Sequence, residues 1–562
     1  MTTRKSKDFK VHPSYLLPPV TQPISIPEVY DWHFENNRDH PLYIYDDDDG
    51  SQKTISMGEA VKAFHRATRY VLENVKVEDI AKRAVVAILG WSESTSYVAT
   101  VIGILRAGHI AFPISPRNSP EAIAHLLLSV SATHILVSSD PTIQSQYEST
   151  ENLLRGKLEP KKIGMPTHGD FFVEYDSDSE SLFEPVPLAK IDVNSIACIY
   201  HTSGTTALPN PIYLTHRALY CFSTVPTHSE VELTGLIYSC HSIPIFHGMG
   251  WMPLTFPTSV GLTIGVFKPQ FPPIMPTPQN VLESSVKIKT DLILTAPLNI
   301  EAWAESTEDA EKLTKMKGVV VGGAPLTKST GDLLASQGVN IACQYGATQT
   351  ALLSRFVSEP FGMDWEYFKF SPGWSIHLEK YQGGLSEVFV LDSDAFKPYL
   401  INAKIEDKEA YATGDLIQVH PVHQDRYRIA GRAEEQVLHS NGERTNPTHL
   451  ELAIGKDPNV ESCIVFGTGH TQCGILIQPR KGLVFDPSET EKLGEYRNAV
   501  WPTIMKVNES SPPHSRINKE MIIVTSVKKP FQYTLKQTLR RQIMIKEYER
   551  EIEDLYASMS RR

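Results

Sequence analysis

Short, uninterrupted apolar runs separated by helix-like stretches are the feature that most limits how this chain can fold. Residues 84–89, 134–137 and 318–321 are runs of this kind. A strand that is apolar at every position has both faces buried, which is typical of parallel sheets covered by helices. The same pattern predicts further strands at 110–112, 196–200, 291–295 and 339–342, and a helix from about Ser96 to near Gly108. We therefore predict an α/β fold with ligands near the strand ends.

The chain is long enough for more than one domain. It has 562 residues, and its composition changes after about residue 430, so we predict two domains. The first, 1–430, is a large N-terminal domain of layered α/β subdomains; the second, 431–562, is a small, mobile C-terminal α+β domain. The second contains predicted strands at 463–466, 474–477 and 521–524 and a charged helix from about Thr538. Arg540, Arg541 and Arg550 alternate with glutamates, which predicts a solvated helix face.

Charge and cysteine content exclude several classes of protein. The net charge of −11 argues against a nucleic-acid partner, because such proteins need a basic face to neutralise phosphates. The six cysteines include no Cys-x-x-Cys pair, which favours buried free thiols in a reducing compartment. The N-terminus is polar, and the apolar stretch after Tyr97 is interrupted by Arg106 and His109 before it could span a bilayer. We expect a cytoplasmic protein without a membrane partner.

A run of small hydroxyl residues around a glycine follows the predicted strand at 196–200. Residues 202–206 read Thr-Ser-Gly-Thr-Thr, and in such a turn successive backbone N–H groups point inward and bind an anion. The hydroxyls of Thr202, Ser203, Thr205 and Thr206 add donors. It is not a Walker A loop, because no Gly-Lys-Ser/Thr follows at the required spacing. Taken alone, the run also fits an ordinary turn.

Eight short motifs, in the same order along the chain, resemble the adenylate-forming superfamily of acyl-CoA ligases, luciferases and nonribosomal peptide synthetase adenylation domains. They stand at 202–210, 244–250, 322–325, 344–349, 411–415, 431–434, 441–447 and 534–536. A narrower resemblance, at 322–326, 330–334 and 440–447, is to fungal-type synthetase-like carboxylic acid reductases. In many of those enzymes, a carrier domain and a reductase domain follow the adenylation domain. This sequence contains neither the serine motif of a carrier domain nor the Gly-x-x-Gly-x-x-Gly nucleotide loop of a reductase domain. It is either the first domain of such a protein or acts alone.

The resemblance implies a role for individual residues. ATP is expected to bind Thr202, Ser203, Gly204, Thr205, Thr206, Gly323, Ala324, Pro325, Tyr345, Gly346, Asp415 and Arg432. Asp415 would accept the ribose hydroxyls, Tyr345 would lie against adenine, and Arg432 would hold ribose or phosphate. Thr348, Lys536 and His247 are the predicted catalytic residues; Thr348 reaches the α-phosphate, and Lys536 bridges the carboxylate and α-phosphate oxygens. Glu434 belongs to the interdomain hinge, and Gln349 is the predicted Mg²⁺ ligand.

The predicted acid pocket consists of Phe246, His247, Gly248, Gly322 and Gly346. His247 stands where amino-acid-activating relatives place an aspartate for the substrate amine, and residues 244–250 contain no acidic side chain. We therefore expect an aryl or otherwise hydrophobic acid and not an α-amino acid. Structural roles remain open for His247 as a core histidine, Tyr345 as a core aromatic and Lys536 as a surface lysine.

The predicted function has two steps. An acid and ATP give acyl-AMP and pyrophosphate, and a phosphopantetheine thiol of a carrier domain then takes the acyl group. A free-standing acid–CoA ligase is one alternative. Another is a weakened nucleotide- or acid-binding homologue, because four residues depart from the family pattern: Ala207, Asn210, Gln349 and Gln537. Asn210 replaces a lysine and Gln349 a glutamate, so both remove a charge expected near the triphosphate or Mg²⁺.

Overall fold

The computed structural model describes residues 15–19, 22–77, 83–173, 183–202, 208–381, 384–393, 396–441, 443–509, 511–533 and 539–559. Its strands are β1 (Pro41–Asp46), β2 (Gln52–Ser56), β3 (Val85–Leu89), β4 (Ile110–Ile114), β5 (His134–Val137), β6 (Lys161–Gly164), β7 (Ile196–His201), β8 (Pro211–Thr215), β9 (Ile237–Ser239), β10 (Thr263–Gly265), β11 (Leu292–Thr295), β12 (Gly318–Val321), β13 (Ile341–Cys343), β14 (Gly346–Ala347), β15 (Ala351–Leu352), β16 (Ser375–Lys380), β17 (Leu385–Leu391), β18 (Ala403–Ile405), β19 (Lys408–Val419), β20 (Tyr427–Arg432), β21 (Val437–Leu438), β22 (Arg444–Thr445), β23 (Val460–Phe466), β24 (Cys473–Pro479) and β25 (Ile517–Val524).

The helices lie between and after these strands. In chain order they are α1 (Ile26–Asn36), α2 (Met57–Asn74), α3 (Ser94–Arg106), α4 (Pro120–Ser129), α5 (Pro141–Leu154), α6 (His168–Phe171), α7 (His216–Ser223), α8 (Trp251–Thr255), α9 (Pro257–Val260), α10 (Pro278–Lys287), α11 (Pro297–Ala304), α12 (Thr307–Thr314), α13 (Lys328–Ser336), α14 (Pro447–Ile454), α15 (Thr490–Glu509), α16 (Arg541–Glu547) and α17 (Glu549–Met559).

Two large sheets contain most of the strands that the apolar runs predicted. Within the described residues, the six-strand sheet has the order β6-β5-β3-β4-β7-β8, and the seven-strand sheet has the order β13-β12-β11-β9-β10-β1-β2. Neighbours are parallel except for the pairs β7–β8 and β1–β2. The strand predictions at 134–137 and 318–321 are confirmed residue for residue, and the helix predicted from Ser96 begins two residues earlier, at Ser94.

The largest apolar cluster fills the space between the two sheets. Helices α2 and α3 contribute to it, and they approach closely because Gly103 has no side chain. A Cβ atom there would lie 2.7 Å from the carbonyl carbon of Ala67. The cluster includes residues of both sheets, such as Ile88 of β3 and Leu294 of β11, and open α/β sheets bind ligands at the carboxyl ends of their strands.

A third sheet was missed by the sequence patterns. It is antiparallel, with β16-β17-β19-β18 in order and β20 paired to β19. Its register places Asp415 on β19 directly opposite Arg432 on β20. Two residues that are seventeen positions apart in sequence therefore become cross-strand neighbours.

The C-terminal strands and helices have an apolar cluster of their own, which includes Val437, Ile475 and Ile522. Here β23, β24 and β25 form a sheet. The predicted domain boundary after residue 430 falls inside β20, and the division into domains remains a prediction. The side chain of Asn446 donates a hydrogen bond to the carbonyl oxygen of Ala430, so the two parts are also connected by polar contacts.

One sequence interpretation is wrong. Arg541 does not lie on a solvated helix face: its side chain is only 10% exposed and forms an ion pair with Glu451. Arg541 also donates a hydrogen bond to the carbonyl oxygen of Val465. The pairing fixes α16 against α14 and β23, and burial of a charged arginine is tolerated because a carboxylate compensates it.

Expectations drawn from composition can also be compared with the structure. All six cysteines are free thiols, as expected; four of them are buried, whereas Cys221 and Cys343 are only partly buried. Among the described residues, no helix combines the length and the apolarity needed to cross a membrane.

Candidate active site

The predicted phosphate loop connects β7 to β8. At its neck, the amide of Thr202 donates to the carbonyl oxygen of Asn210 at 3.0 Å. The amide of Asn210 in turn donates to Oγ1 of Thr202, also at 3.0 Å. These two bonds close the loop. Ser203, Gly204, Thr205, Thr206 and Ala207 lie outside the described residues, and their predicted roles remain predictions.

Asp415 is the centre of a hydrogen-bond network at the end of the antiparallel sheet. Arg432 Nη1 donates to Oδ1 of Asp415 at 3.0 Å, and the hydroxyl of Tyr345 donates to Oδ2 at 2.9 Å. Arg432 is also held by the carbonyl oxygen of Thr413 and by Glu434, at 3.2 and 3.1 Å. The structure thus brings together five residues that the sequence placed in three separate motifs.

The network leaves hydrogen-bonding capacity for a ligand. An ionised carboxylate has about four acceptor sites and a guanidinium has five N–H donors. Asp415, whose side chain is 15% exposed, uses two of its sites on Arg432 and Tyr345; Arg432, at 42%, uses three donors. Both groups therefore have unused positions at the surface of the site, as recognition of a ribose or phosphate would require.

Burial shapes the electrostatics of this network. It raises the pKa of Asp415 above the ordinary aspartate value, while the charge of Arg432 and the hydrogen bond from Tyr345 oppose that shift. Glu387, on the neighbouring strand, also has a raised pKa, first because of burial and then because of the charge of Asp415. The site therefore holds negative charge that a positively charged neighbour, Arg432, must balance.

Thr348 and Gln349 lie in a tight hairpin turn between β14 and β15. Gly346 is required at its base, because a Cβ atom there would lie 2.3 Å from the carbonyl oxygen of Ala351. Ala351 has a φ of +64°, a left-handed conformation that an alanine adopts at a cost of about 1–2 kcal/mol. Local strain of this kind persists where the surroundings determine the backbone, and here it lies in the same hairpin as Thr348.

Glycines form the part of the site predicted to receive the acid. A Cβ atom on Gly248 would lie 3.4 Å from Oγ1 of Thr348, so these two motifs are in contact. Gly322 and Gly323 follow β12, and their missing side chains leave space that the thioether of Met249 adjoins, at 3.6 Å from each Cβ position. Met249 is flexible and polarisable, and such a side chain adapts to different neighbours.

Gln344 is a site residue that the sequence interpretation did not single out. Its Nε2 donates to the carbonyl oxygen of Phe356 at 3.0 Å, which fixes the orientation of the amide. Oε1 is then the free end; it is buried without a hydrogen-bond partner among the described residues and lies 3.8 Å from the Cβ position of Gly322. An unpaired buried acceptor beside a predicted acid pocket is a polar contact point for a ligand. No local sequence signal shows it.

His247 and Phe246 point to different surroundings. Nδ1 of His247 accepts a hydrogen bond from the amide of Met249 at 3.2 Å, which leaves the proton of the neutral imidazole on Nε2. The Phe246 ring packs edge-on against Trp91 and lines a cavity of about 80 Å³. The described lining of that cavity contains none of the other predicted site residues.

The remaining predicted residues are placed as follows. Ala324 and Pro325 follow Gly323 after β12, at the carboxyl edge of the seven-strand sheet, and Glu434 lies within the short 3-10 helix Ala433–Glu435 that follows β20. The carbonyl oxygen of Gln349 accepts a hydrogen bond from the amide of Tyr399 at 2.7 Å. Among the described residues, no group of three His, Cys, Asp or Glu side chains could hold a metal ion. Lys536 and Gln537 lie outside the described residues.

Family models match both parts of the chain. Residues 30–379 match the model described as "AMP-binding enzyme", and residues 434–560 match "AMP-binding enzyme C-terminal domain". The chain belongs to the AMP-binding enzyme family. The predicted resemblance to adenylate-forming enzymes is thereby confirmed. Asp415 and Arg432 lie between the two matched ranges, so their assignment depends on the geometry of the antiparallel sheet.

Curated relatives narrow the family. An adenylate-forming reductase, Nps10 of Heterobasidion annosum, is 39% identical over 97% of this chain and 50% of its own length. A carboxylic acid reductase of Neurospora crassa is 25% identical over 82% of this chain and 43% of its own length. The chain spans about half the length of the curated relatives it matches.

Solved structures confirm the fold class. The ATP-bound MatB of Rhodopseudomonas palustris superposes with a TM-score of 0.71 at 15% identity, over 94% of this chain and 100% of the other. The anthranilate CoA ligase AuaEII, in complex with anthranoyl-AMP, gives 0.68 at 17% identity, over 94% and 98%. At these identities the likeness shows a shared α/β fold with a large N-terminal and a small C-terminal part, as the sequence predicted.

Proposed function

We propose that this chain activates a hydrophobic or aryl carboxylic acid with ATP and passes the acyl group to the phosphopantetheine thiol of a carrier domain, as the first part of a carboxylic acid reductase. The observation that carries the proposal is the network of Tyr345, Asp415 and Arg432. It joins three predicted nucleotide motifs and retains unused donors and acceptors. Family membership and the reductase relatives support the same reaction.

The chemistry asks the protein mainly for positioning and charge neutralisation. A carboxylate oxygen attacks the α-phosphorus of ATP and pyrophosphate leaves, so two anions must be brought together. In our proposal Asp415 orients the ribose, and Thr348 and Lys536 donate to the reacting oxygens. When bound, Mg²⁺ would neutralise triphosphate charge, and Gln349 offers it a neutral amide oxygen, a weaker ligand than a carboxylate.

The predicted acid pocket favours a substrate that carries no charge apart from its carboxylate. The predicted pocket is bounded by Gly248, Gly322 and Met249, and the motif at 244–250 contains no carboxylate for an α-amine. In the neutral form His247 carries its ring proton on Nε2, which makes that atom a hydrogen-bond donor. A ring-bearing acid fits this combination of an apolar wall and one donor.

Acid-dependent pyrophosphate exchange tests the activation step. We expect exchange with benzoate-like or other hydrophobic acids and little with α-amino acids, with a reaction lacking any acid as the blank. Exchange with ordinary amino acids and none with aryl acids would refute the substrate class. ATP binding without exchange for any acid would instead favour the weakened homologue, to which Asn210 and Gln349 already point.

Half-reactions test the transfer step. Lys536→Ala should lower adenylation by on the order of 10²–10³-fold, the size of one lost donor to developing charge. Transfer from a chemically synthesised acyl-adenylate should change less than about threefold, because the hinge beside Glu434 is proposed to carry Lys536 away after adenylation. The assay compares a phosphopantetheinylated carrier domain with CoA as acceptor. Transfer to CoA alone would favour the acid–CoA ligase. Equal losses in both half-reactions would remove Lys536 from the mechanism.

A further inference from the structure

A second cavity lies at the carboxyl edge of the six-strand sheet and shares no residue with the predicted active site. It encloses about 230 Å³ between the segments that follow β3, β5 and β6, and residues 269–271 close one side. Strand β3 connects through α3 to β4 on one side of it, and β5 connects through α5 to β6 on the other. The chain thus diverges between β3 and β5, and open α/β sheets bind ligands at such switch points.

One wall of this cavity holds a buried hydroxyl without a partner. Ser138, directly after β5, is 3% exposed, and its Oγ has no hydrogen-bond partner among the described residues. Gly90, directly after β3, is needed opposite it, because a Cβ atom there would lie 2.8 Å from that Oγ. Buried polar atoms are almost always paired, so a ligand or a water molecule is expected at Ser138.

A second wall presents an imidazole whose tautomer is determined by its neighbours. The hydroxyl of Thr95 donates to Oε2 of Glu93 at 2.6 Å, so Thr95 Oγ1 can only accept from Nδ1 of His168, at 2.9 Å. Burial lowers the pKa of His168, although Glu93 opposes the shift, so the ring is neutral at pH 7. Nε2 is then an unprotonated acceptor, and it has no hydrogen-bond partner within the described ranges.

The residues that line this cavity also determine the charge and shape of a ligand that can bind there. Glu93 is the one charged residue among the described lining, and its carboxylate is occupied by the amides of Thr95 and Ser96 and by the Thr95 hydroxyl. Trp91 and Phe271 add aromatic surface. The volume lies below the roughly 300–1,000 Å³ of pockets for drug-sized ligands, which limits the occupant to about one ring.

We propose that this cavity is a second ligand-binding site, for a neutral single-ring compound whose hydroxyl or N–H group donates to Nε2 of His168 and pairs with Ser138. The ring lies between Trp91 and the segment at 269–271. None of the residues that line the site belongs to the nucleotide or acid motifs. Trp91, Ser92 and Glu93 also line the smaller cavity beside Phe246.

Fluorine NMR on the whole chain tests the proposal with three probes of one shape: 4-fluorophenol, 4-fluorotoluene and 4-fluorobenzylamine. We expect saturable binding of the phenol, with the toluene and the charged amine at least tenfold weaker. Equal binding of phenol and toluene, tighter binding of the amine, or no saturation by the phenol at millimolar concentration would each overturn the proposal.

Two variants locate the binding. Ser138→Ala and His168→Phe should each weaken 4-fluorophenol binding at least fivefold, whereas Ser149→Ala, an exposed serine on α5, should leave it unchanged. Ser138→Ala removes an unpartnered buried hydroxyl, so its thermal midpoint should not fall, and lost binding cannot then be ascribed to unfolding. The ring of His168→Phe still stacks on Phe172. Unchanged binding in both variants would place the phenol elsewhere and refute the site.

Discussion

The proposed nucleotide side of the candidate active site, which contains Asp415, Arg432 and Tyr345, and the proposed acid side, which contains Gly248, Met249 and Gln344, differ in how their polar groups are paired. On the nucleotide side, Asp415 and Arg432 bind each other, and Tyr345 fixes the carboxylate from a second direction. On the acid side, glycines leave open space, Met249 adjoins it, and Oε1 of Gln344 has no hydrogen-bond partner within the part of the chain that the structure describes. A preorganised network suits a substrate that never varies, whereas an adaptable wall with one free acceptor suits a substrate that differs between relatives.

The largest expected effect comes from removing the carboxylate of Asp415 from the hydrogen-bonded network on the proposed nucleotide side. Asp415→Ala should lower kcat/KM for ATP in pyrophosphate exchange by on the order of 10²–10⁴-fold. The carboxylate is proposed to make two hydrogen bonds to ribose, each worth about 1.5–3 kcal/mol, and about 1.4 kcal/mol corresponds to a factor of ten. Asp425→Ala, which changes an exposed aspartate, is the matched control. A decrease in kcat/KM smaller than threefold would show that the network around Asp415 does not bind the nucleotide.

A second substitution tests the unpaired acceptor, Oε1 of Gln344, on the proposed acid side. Gln344→Leu should reduce the preference for a hydroxybenzoate over the methylbenzoate of the same shape by about 10–100-fold, because one buried acceptor contributes roughly 1–3 kcal/mol. The readout is the ratio of kcat/KM for the two acids. Gln337→Leu, at an exposed position, should leave that ratio unchanged. If wild type does not distinguish the two acids, a water molecule satisfies Oε1 and the acceptor has no part in selection.

Measurements at different pH values separate the effect of Asp415 on stability from its effect on activity. Because burial raises the folded-state pKa of Asp415, its carboxylate destabilises the fold as pH rises from about 4, the unfolded value, through the folded pKa. Asp415→Asn should therefore raise the melting temperature by roughly 1–3 °C at pH 7–8, with no difference below pH 4, while activity is lost. In wild type, ATP affinity should fall as pH decreases through that pKa. A lower melting temperature for Asp415→Asn at pH 8 would show that the Arg432 pair outweighs burial.

The smallest expected effect concerns the turn between the two sides. Ala351→Gly should stabilise the chain by about 0.5–1 kcal/mol, since relief of the left-handed conformation, about 1–2 kcal/mol, exceeds the added entropy of glycine, about 0.5–1 kcal/mol. Urea unfolding measures it. Ala347→Gly in the same hairpin, where φ is negative, should destabilise instead. A slightly higher KM for ATP in Ala351→Gly would show that the strain helps to present Thr348.

Sequence patterns predicted those strands whose formation depends mainly on the residues of the strand itself. Residues 134–137 and 318–321 are apolar throughout, and they form strands with those bounds because a fully buried strand needs that composition. The register that puts Asp415 opposite Arg432 depends on pairing between strands of mixed burial, which alternation alone did not reveal. Arg541 was misread because its partner, Glu451, lies 90 residues away. The free oxygen of Gln344 depends on a single carbonyl, that of Phe356.

The way the phosphate loop is closed has a consequence for which side chains residue 210 can carry. Both hydrogen bonds between Thr202 and Asn210 use the main chain of residue 210, its N–H and its C=O. The side chain there is exposed and makes neither of these two bonds, so lysine as well as asparagine can stand at the neck of the loop. Replacing Asn210 by lysine would therefore change the charge beside the proposed triphosphate site while both hydrogen bonds at the neck of the loop stay in place.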